Sequence, residues 1–433
     1  MRRVVWVALV LFATACSPVP RPESALIIVV DTLRADHLGF YGYSRATSPA
    51  LDALAARGLV FDRAYSTSPW TLPSFGSLLT GHPPSEHLAG LRVTVDGTPS
   101  FTPLSNAMPT LAELLSVRYW ATGAVVNNPF LTARSGIARG FDRYDYRESE
   151  RRADASVDAA LAWIAGRGDQ RFFAMLHLFD PHLPYDAPAP FRERFTGPRP
   201  PGEQRPDAAQ IRAAHGRGEP IDVEFLRGAY DEEIAFVDRE LGRLFAELES
   251  RGLLAKTLVI FTADHGEEFL DHGGFEHGHA VFDEVVRVPL VIWGPGVAPG
   301  RSDAVVSLRD VPATVLGAFA IAPPPGFPGR SLLDAEAETI VAEHTLYGGE
   351  RKAALAWPWK LHWANGGAEL ALFDLARDPG ERTDVLADHR SDAQPLLDAL
   401  RASAERDAAT AKRADAAIDE RTRARLRQLG YIE

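Results

Sequence analysis

The chain has one cysteine in 433 residues, Cys16, so no intrachain disulfide can form. There is no long basic run, and the net charge is -12. That balance argues against nucleic acid as a partner, and against a polyanionic surface held by charge alone. No internal repeat is found, which sets aside solenoids and propellers. The N-terminal apolar run, Val4–Ala15, is too short for a comfortable membrane span. What is present is 46% hydrophobic and 24% charged residues, ordinary values for a globular chain long enough for a large core and two domains.

Arg2 and Arg3 precede that apolar run, and Ala13-Thr14-Ala15 leads into Cys16. Positive start, short apolar stretch and small residues together read as an export signal. We read Cys16 as the lipidated first residue of the mature protein, since no second cysteine exists to pair with it. The alternative is ordinary cleavage beside a chance cysteine, because Ala13 stands where lipoprotein signals usually carry leucine. Pro18, Pro20 and Pro22 make Ser17–Ser24 a stiff tether. Residues 1–24 are thus expected to place the protein in a bacterial cell envelope, as a periplasmic or outer-membrane lipoprotein touching the membrane through that lipid.

An aliphatic run that ends in an acid occurs twice. Ala25–Val30 lacks alternation, as a strand buried on both faces should, and stops at Asp31. Thr257–Ala263 repeats the theme and delivers Asp264-His265-Gly266-Glu267-Glu268. In open α/β sheets ligands gather beyond the carboxyl ends of strands. A carboxylate beside an imidazole at such an end has few structural uses, so Asp31, Asp264 and His265 are expected to bind a metal. Glu267 and Glu268 are expected to support these ligands or to begin a helix.

Between these runs lies Ser68-Pro69-Trp70-Thr71-Leu72-Pro73-Ser74-Phe75-Gly76-Ser77-Leu78-Leu79-Thr80-Gly81. Pro73 suits a first helical turn and Gly81 a helix end, so Ser74–Thr80 reads as a helix with Thr71 at its N-terminus. Backbone dipoles there favour an anion, and a hydroxyl so placed is either a helix cap or a nucleophile toward a phosphate or sulfate group. Leu51–Arg57, Thr110–Leu115, Ala155–Ala165 and Phe225–Arg251 read as helices. Leu59–Tyr65, Ala121–Val126, Arg171–His177 and Arg287–Gly296 read as strands, and Ala304–Phe319 as a strand and helix around Asp310. Tyr230, Ile234, Val237, Leu241, Leu244 and Leu248 form an apolar stripe that is core rather than a cofactor site. Asn127 and Asn128 read as a turn. Pro188–Pro220 reads as a long surface loop that selects substrate or covers the site. Gly273–Glu284 is glycine-rich, carries His277 and His279, and has the composition of a mobile loop. After Pro323-Pro324-Pro325-Gly326 come short strands at Ile340–Ala342, Ala353–Trp357, Lys360–Trp363 and Leu370–Leu375, the pattern of a small antiparallel sheet. Ser391–Leu429 reads as one or two surface helices.

Thr71-x-Pro73-x-Phe75 with Leu78-Leu79-Thr80-Gly81, His182-Leu183-Pro184-Tyr185 and Arg287-Val288-Pro289 resembles the sulfatase family of the alkaline-phosphatase superfamily. The order and spacing of these motifs extend the resemblance over about Leu26–Glu433. That family carries Cys/Ser-x-Pro-x-Arg and oxidises the Cys or Ser to formylglycine. Thr71 cannot give that aldehyde, and Phe75 replaces the arginine. Threonine nucleophiles occur in phosphatases and phospho-group transferases of the same superfamily. The resemblance implies that His182 serves the leaving group. Gly278 stands where sulfatases have a lysine, so His279 is the nearest substitute to contact the substrate oxyanion or the metal, ahead of His277. Thr32 replaces a second acid, which makes manganese or zinc at least as suitable as calcium.

The expected fold is a large α/β/α sandwich with a mostly parallel sheet, over residues 25–335, plus a smaller C-terminal antiparallel sheet with helices, over residues 336–433. The expected activity is metal-dependent hydrolysis of a sulfate or phosphate ester on a small molecule or glycan. One divalent ion (Ca, Mn or Zn) is held by Asp31, Thr71, Asp264 and His265, and catalysis falls to Thr71, His182 and His279. A second ion is not expected, although Asp180, His177, His182, His277 and His279 would be spare ligands. The alternatives are transfer of a phospho-head-group onto envelope sugars or lipids by the same covalent step, and a non-catalytic glycan-binding lipoprotein.

Overall fold

A computed structural model describes residues 20–93, 99–147, 151–198, 207–334, 338–410 and 416–417. The export signal and Cys16 lie outside them. Ser24–Val30 (β1) is buried along its whole length and lies inside an eight-stranded sheet, as its unbroken aliphatic run requires. The other strands are Leu59–Tyr65 (β2), Ala121–Val126 (β3), Arg143–Tyr146 (β4), Phe172–Leu178 (β5), Thr257–Ala263 (β6), Leu290–Trp293 (β7) and Gly300–Ser307 (β8). Their order is β8-β2-β7-β6-β1-β5-β3-β4, and β7 alone runs against the rest.

Helices pack in two groups. Pro49–Ala55 (α1) and Ala153–Ala165 (α4) touch the long helix Val223–Ser250 (α6). Thr71–Thr80 (α2) touches Leu111–Ser116 (α3) and Val311–Ala318 (α7). On α6 the expected stripe is core: Tyr230, Ile234, Val237, Leu241, Leu244 and Leu248 are each at most 1% exposed. Each such burial stabilises by about 1.5–3 kcal/mol, so Leu244→Ala alone would cost about 2–5 kcal/mol.

The expected loop Pro188–Pro220 is not loop throughout. It contains a helix, Ala208–Gly216 (α5), begun by a capping box in which Asp207 and Gln210 satisfy each other's backbone N–H groups.

At the C-terminal end Ile340–Ala342 (β9), Arg351–Ala356 (β10), Trp359–Ala364 (β11) and Glu369–Asp374 (β12) form an antiparallel sheet in chain order. Strand alternation gives it two apolar faces. Ala353, Leu355 and Phe373 pack with Tyr65, Val281 and Val305. Ala354, Leu361 and Leu372 pack under Leu396 and Leu400 of Arg390–Thr410 (α8). Of the expected helix beyond Thr410 only Ala416–Ala417 is described, and it is a short strand rather than helix.

Candidate active site

Parallel register brings the two acids together. Val30 of β1 pairs with Ala263 of β6 and with Leu178 of β5. The residues that follow, Asp31 and Asp264, therefore leave the sheet side by side. His177 pairs with Val29 one rung earlier. Its Nε2 lies 3.1 Å from Asp31 Oδ2, and the same oxygen accepts from Asn128 Nδ2 at 2.8 Å.

Thr71 comes from the other side of the sheet centre. Trp70 is extended (φ -157, ψ 165), no side chain caps α2, and Thr71 is its first helical residue. The hydroxyl is therefore not spent as a cap. Oγ1 lies 3.3 Å from His265 Nε2 and accepts from Asn128 Nδ2 at 3.1 Å. Ser74, one turn on, donates from Oγ to the Asp264 carbonyl at 2.7 Å and ties α2 to the end of β6. From outside, the C-terminal subdomain holds the approach: Trp70 Nε1–H donates to the His344 carbonyl at 2.6 Å, and the Glu343 N–H to the Thr67 carbonyl at 2.9 Å.

Two buried carboxylate oxygens, Asp31 Oδ1 and Asp264 Oδ2, have no hydrogen-bond partner. They lie 3.7 Å and 3.4 Å from His265 Nε2. Thr71 Oγ1 at 3.3 Å completes a set of three oxygens around one nitrogen. Burial and then the charge of Asp31 push the Asp264 carboxyl well above its ordinary value. Burial also opposes ionisation of Asp31, but the His177 hydrogen bond and the charges of His182, His177 and His265 outweigh it and hold that carboxyl low. Burial lowers His265, leaving its imidazole neutral with a lone pair. His265 Nδ1 lies 3.0 Å from the Gly266 carbonyl, which points the other nitrogen at Thr71. Orphaned acceptors facing a bare lone pair are expensive without a cation and well suited to one. The donors, two carboxylates, an imidazole and a hydroxyl, fit a divalent ion. Asp31, His177 and Asp264 also offer atoms within 4.8 Å of one another. His177 meets the oxygen of Asp31 that Asn128 already occupies, so we assign it to orienting Asp31 and leave the orphaned pair to His265.

Three more histidines differ in placement. His182 is 5% exposed, its Nδ1 is 2.7 Å from the Leu183 carbonyl, and its ring stacks on Phe179 at 4.5 Å. Burial pushes it down to about 4. His277 lies beside His265 (ring centroids 4.4 Å) and edge-on to His182 (5.3 Å). Its Nδ1 is 2.8 Å from Glu267 Oε1, and the Tyr185 hydroxyl donates to Glu267 Oε2 at 3.2 Å. His279 points elsewhere. Its Nε2 meets Glu268 at 2.7 Å, and this hydrogen bond outweighs burial to raise its pKa. The left-handed Gly278 between them (φ +83) breaks the strand alternation that would have aimed both rings alike. His277, and not the expected His279, is therefore the ring beside His265. No lysine could replace Gly278 cheaply, because a Cβ there would crowd Leu346 at 3.1 Å in a left-handed backbone.

Other expectations also change. Asn128 is not merely a turn residue, since it bridges Asp31 and Thr71. Asn127 does stay structural, bonded to Ser156 and the Arg151 carbonyl. Glu268 begins a short strand rather than a helix. Phe75 is fully buried, edge-on to His177 at 5.5 Å. Thr32 is left-handed (φ 56) with a buried, unpartnered hydroxyl, and its N–H reaches Asp264 Oδ1 at 3.4 Å.

A family model of sulfatases matches residues 24–321. An arylsulfatase of Clostridium perfringens is 24% identical over 83% of this chain and 89% of its own. Among solved structures, a phosphonate monoester hydrolase of Agrobacterium radiobacter covers 92% of this chain and 97% of its own, with TM-score 0.69 and 22% identity. A protein solved with its substrate, D-glucosamine-2-N,6-O-disulfate, covers 90% and 99%, with TM-score 0.71 and 19% identity. The structural neighbours share the expected fold, and the sequence match spans most of the sheet and its helices. The chain belongs to the sulfatase family of ester hydrolases.

Proposed function

We propose that the protein is a metal-dependent hydrolase of a sulfate or phosphate ester whose nucleophile is the Thr71 hydroxyl. One observation carries the reading: Thr71 Oγ1 and two orphaned carboxylate oxygens lie 3.3–3.7 Å from His265 Nε2. Asp31, Asp264, His265 and Thr71 would hold the cation. Bound there, a divalent ion lowers the pKa of a hydroxyl and offsets charge on transferring oxygens. Manganese or zinc suits the mixed nitrogen and oxygen donors best.

The chain's own groups supply the rest. Asn128 Nδ2 fixes the direction of the Thr71 hydroxyl. The Oγ1–sulfur or Oγ1–phosphorus bond forms as the ester oxygen leaves, and the Thr71 proton goes to solvent. His182, neutral before the ester binds and protonated from solvent once the anionic ester lies beside it, gives that oxygen its proton. The α2 N-terminus and His277 face the growing negative charge. Water then releases the group from Thr71 and restores the hydroxyl. Threonine in place of the formylglycine precursor favours phosphoester chemistry, while the arylsulfatase relatives favour sulfate esters. The substrate is a sulfated or phosphorylated small molecule or glycan.

The test is a panel of nitrophenyl sulfate, phosphate, phosphodiester and phosphonate esters against Ca, Mn and Zn. At least one is hydrolysed, and Thr71→Ala lowers kcat on the order of 10³-fold or more. A Thr71→Ala protein with undiminished turnover ends the nucleophile assignment. Lipidation of Cys16 belongs to the same proposal and rests on Arg2, Arg3 and the run Val4–Ala15. Mass spectrometry of the exported N-terminal peptide should find an acylated cysteine that Cys16→Ser lacks.

A further inference from the structure

The loop that carries His277 is a small hairpin, Glu268–Phe269 against Phe275–Glu276, with Glu276 opposite Glu268. Beyond these two pairs, the side chains of Glu267 and His277 meet at 2.8 Å. The turn closes on its own backbone, with the Leu270 N–H donating to the Gly274 carbonyl at 2.9 Å and the Gly273 N–H to the Leu270 carbonyl at 3.2 Å, but the arms carry strain. Leu270 and Glu276 are left-handed (φ 59 and 70), a conformation that side chains other than glycine and asparagine rarely adopt. Glu276 sits immediately before His277, so any relaxation of its backbone re-aims the imidazole.

Restraint comes from α5, within the segment that the sequence presents as loop. Arg212 grips Glu276 with both arms of its fork, Nε to Oε2 at 2.6 Å and Nη2 to Oε1 at 2.6 Å. Glu276 is 7% exposed, so the carboxylate end of the pair is shielded from water while the guanidinium stays part-exposed. Three residues along the helix, His215 Nε2 lies 2.9 Å from the Gly273 carbonyl at the hairpin turn. On the far side, the Leu346 and Tyr347 N–H groups donate to the Gly278 carbonyl at 2.7 Å and 3.1 Å.

We propose that Arg212 is a positioning residue of the active centre: by clamping Glu276 it keeps His277 against Glu267 and over His265. The inserted segment is then part of the catalytic machinery rather than only a rim that substrates meet. The inference rests on the ester-hydrolase reading above, and its test separates the two.

Arg212→Ala, Arg212→Lys, Glu276→Gln and the Ala/Gln double variant are compared in the full chain. Four quantities are measured: kcat and KM on the best nitrophenyl ester, manganese or zinc affinity by calorimetry, and the ¹⁵N ring spectrum of the histidines. Arg212→Ala should lower kcat tenfold or more with KM and metal affinity within about twofold. Arg212→Lys should recover part of the loss, since it keeps the charge but not the fork. The double variant should be no worse than the worse single one. The His277 ring signals should shift in Arg212→Ala and revert toward wild type in Arg212→Lys. Wild-type kcat with an unmoved His277 signal in Arg212→Ala overturns the proposal. So do losses that multiply in full in the double variant. If Arg212→Ala does not fold, Arg212→Lys and the charge-swapped pair Arg212→Glu with Glu276→Arg decide: activity regained by the swap above either single change supports it, and none regained overturns it. If no ester is turned over, the hydrolase reading has failed, and the ring spectra alone still decide where Arg212 holds His277.

Discussion

Two clusters of buried charge can be compared. In the C-terminal subdomain, Lys352 and Glu343 are both at most 1% exposed, and Lys352 Nζ meets Glu343 at 3.2 Å, Ser403 at 2.9 Å and Asp407 at 2.6 Å. Lys360 likewise meets Asp283 at 2.8 Å and Glu381 at 3.1 Å, and Glu381 also takes His362 at 2.8 Å. There, every carboxylate faces a cation. At the carboxyl edge of the main sheet, Asp31 and Asp264 are equally buried but keep one orphaned oxygen each. One cluster is complete within the chain; the other would be completed by the cation proposed above. A buried charge without a partner is costly, so the incomplete cluster marks function better than any conserved-looking motif could.

The sharpest way to break this comparison is Lys352→Met. It leaves Glu343 buried without its cation and should cost about 3–5 kcal/mol in urea unfolding. Next, a cation at about 100 times its Kd should raise stability by about 2.7 kcal/mol. The increment should survive in Lys352→Met and vanish in Asp264→Asn; a Lys352→Met protein that loses it would show the clusters are not independent.

The pH response should differ as well. Burial raises Glu267 to about 7, though the charges of His182 and His265 oppose it. A carboxyl with a raised folded pKa weakens the fold as pH climbs from its unfolded value toward 7. Without added cation, Glu267→Gln should gain on the wild type by about 2 kcal/mol between pH 5 and pH 7.5; buried histidines common to both cancel in that difference. Glu381 and Asp407 behave oppositely. Burial works against them too, but Lys360 and His362, and His344 and Lys352, bring each down to about 2. Their contribution is present above their unfolded values, constant from pH 5 to 7.5, and lost only as pH falls through about 2. The smallest effect is Asp264→Asn without cation: burial and Asp31 hold that carboxyl well above its ordinary value, so little charge is removed and stability should move by less than about 1 kcal/mol; a gain of several kcal/mol would mean the carboxylate is charged there and repels Asp31.

Much of the frame was legible because it depends on local pattern. Leu59–Tyr65, Ala121–Val126 and Thr257–Ala263 are strands at the expected residues. The stripe on α6 follows from 3.6-residue periodicity alone. Thr71 at a helix start followed from Pro73 and Gly81. What escaped depends on distant chain. Asn128 resembles any asparagine after a strand until the register of β3 beside β5 sets it against Asp31. His277 and His279 differ only through the backbone of Gly278. The helix carrying Arg212 was masked by proline, glycine and arginine, although Asp207 and Gln210 spelled its capping box.

The hydrogen bond from Trp70 to the His344 carbonyl joins residues 274 positions apart in the chain. Synthesis runs from the N-terminus, so the carboxylates of Asp31 and Asp264 and the hydroxyl of Thr71 all emerge before the strap that steadies them. A nascent or prematurely ended chain would own every reactive group and still lack the fixed approach to α2. The approach to α2 is braced in this way only once residue 344 has been made.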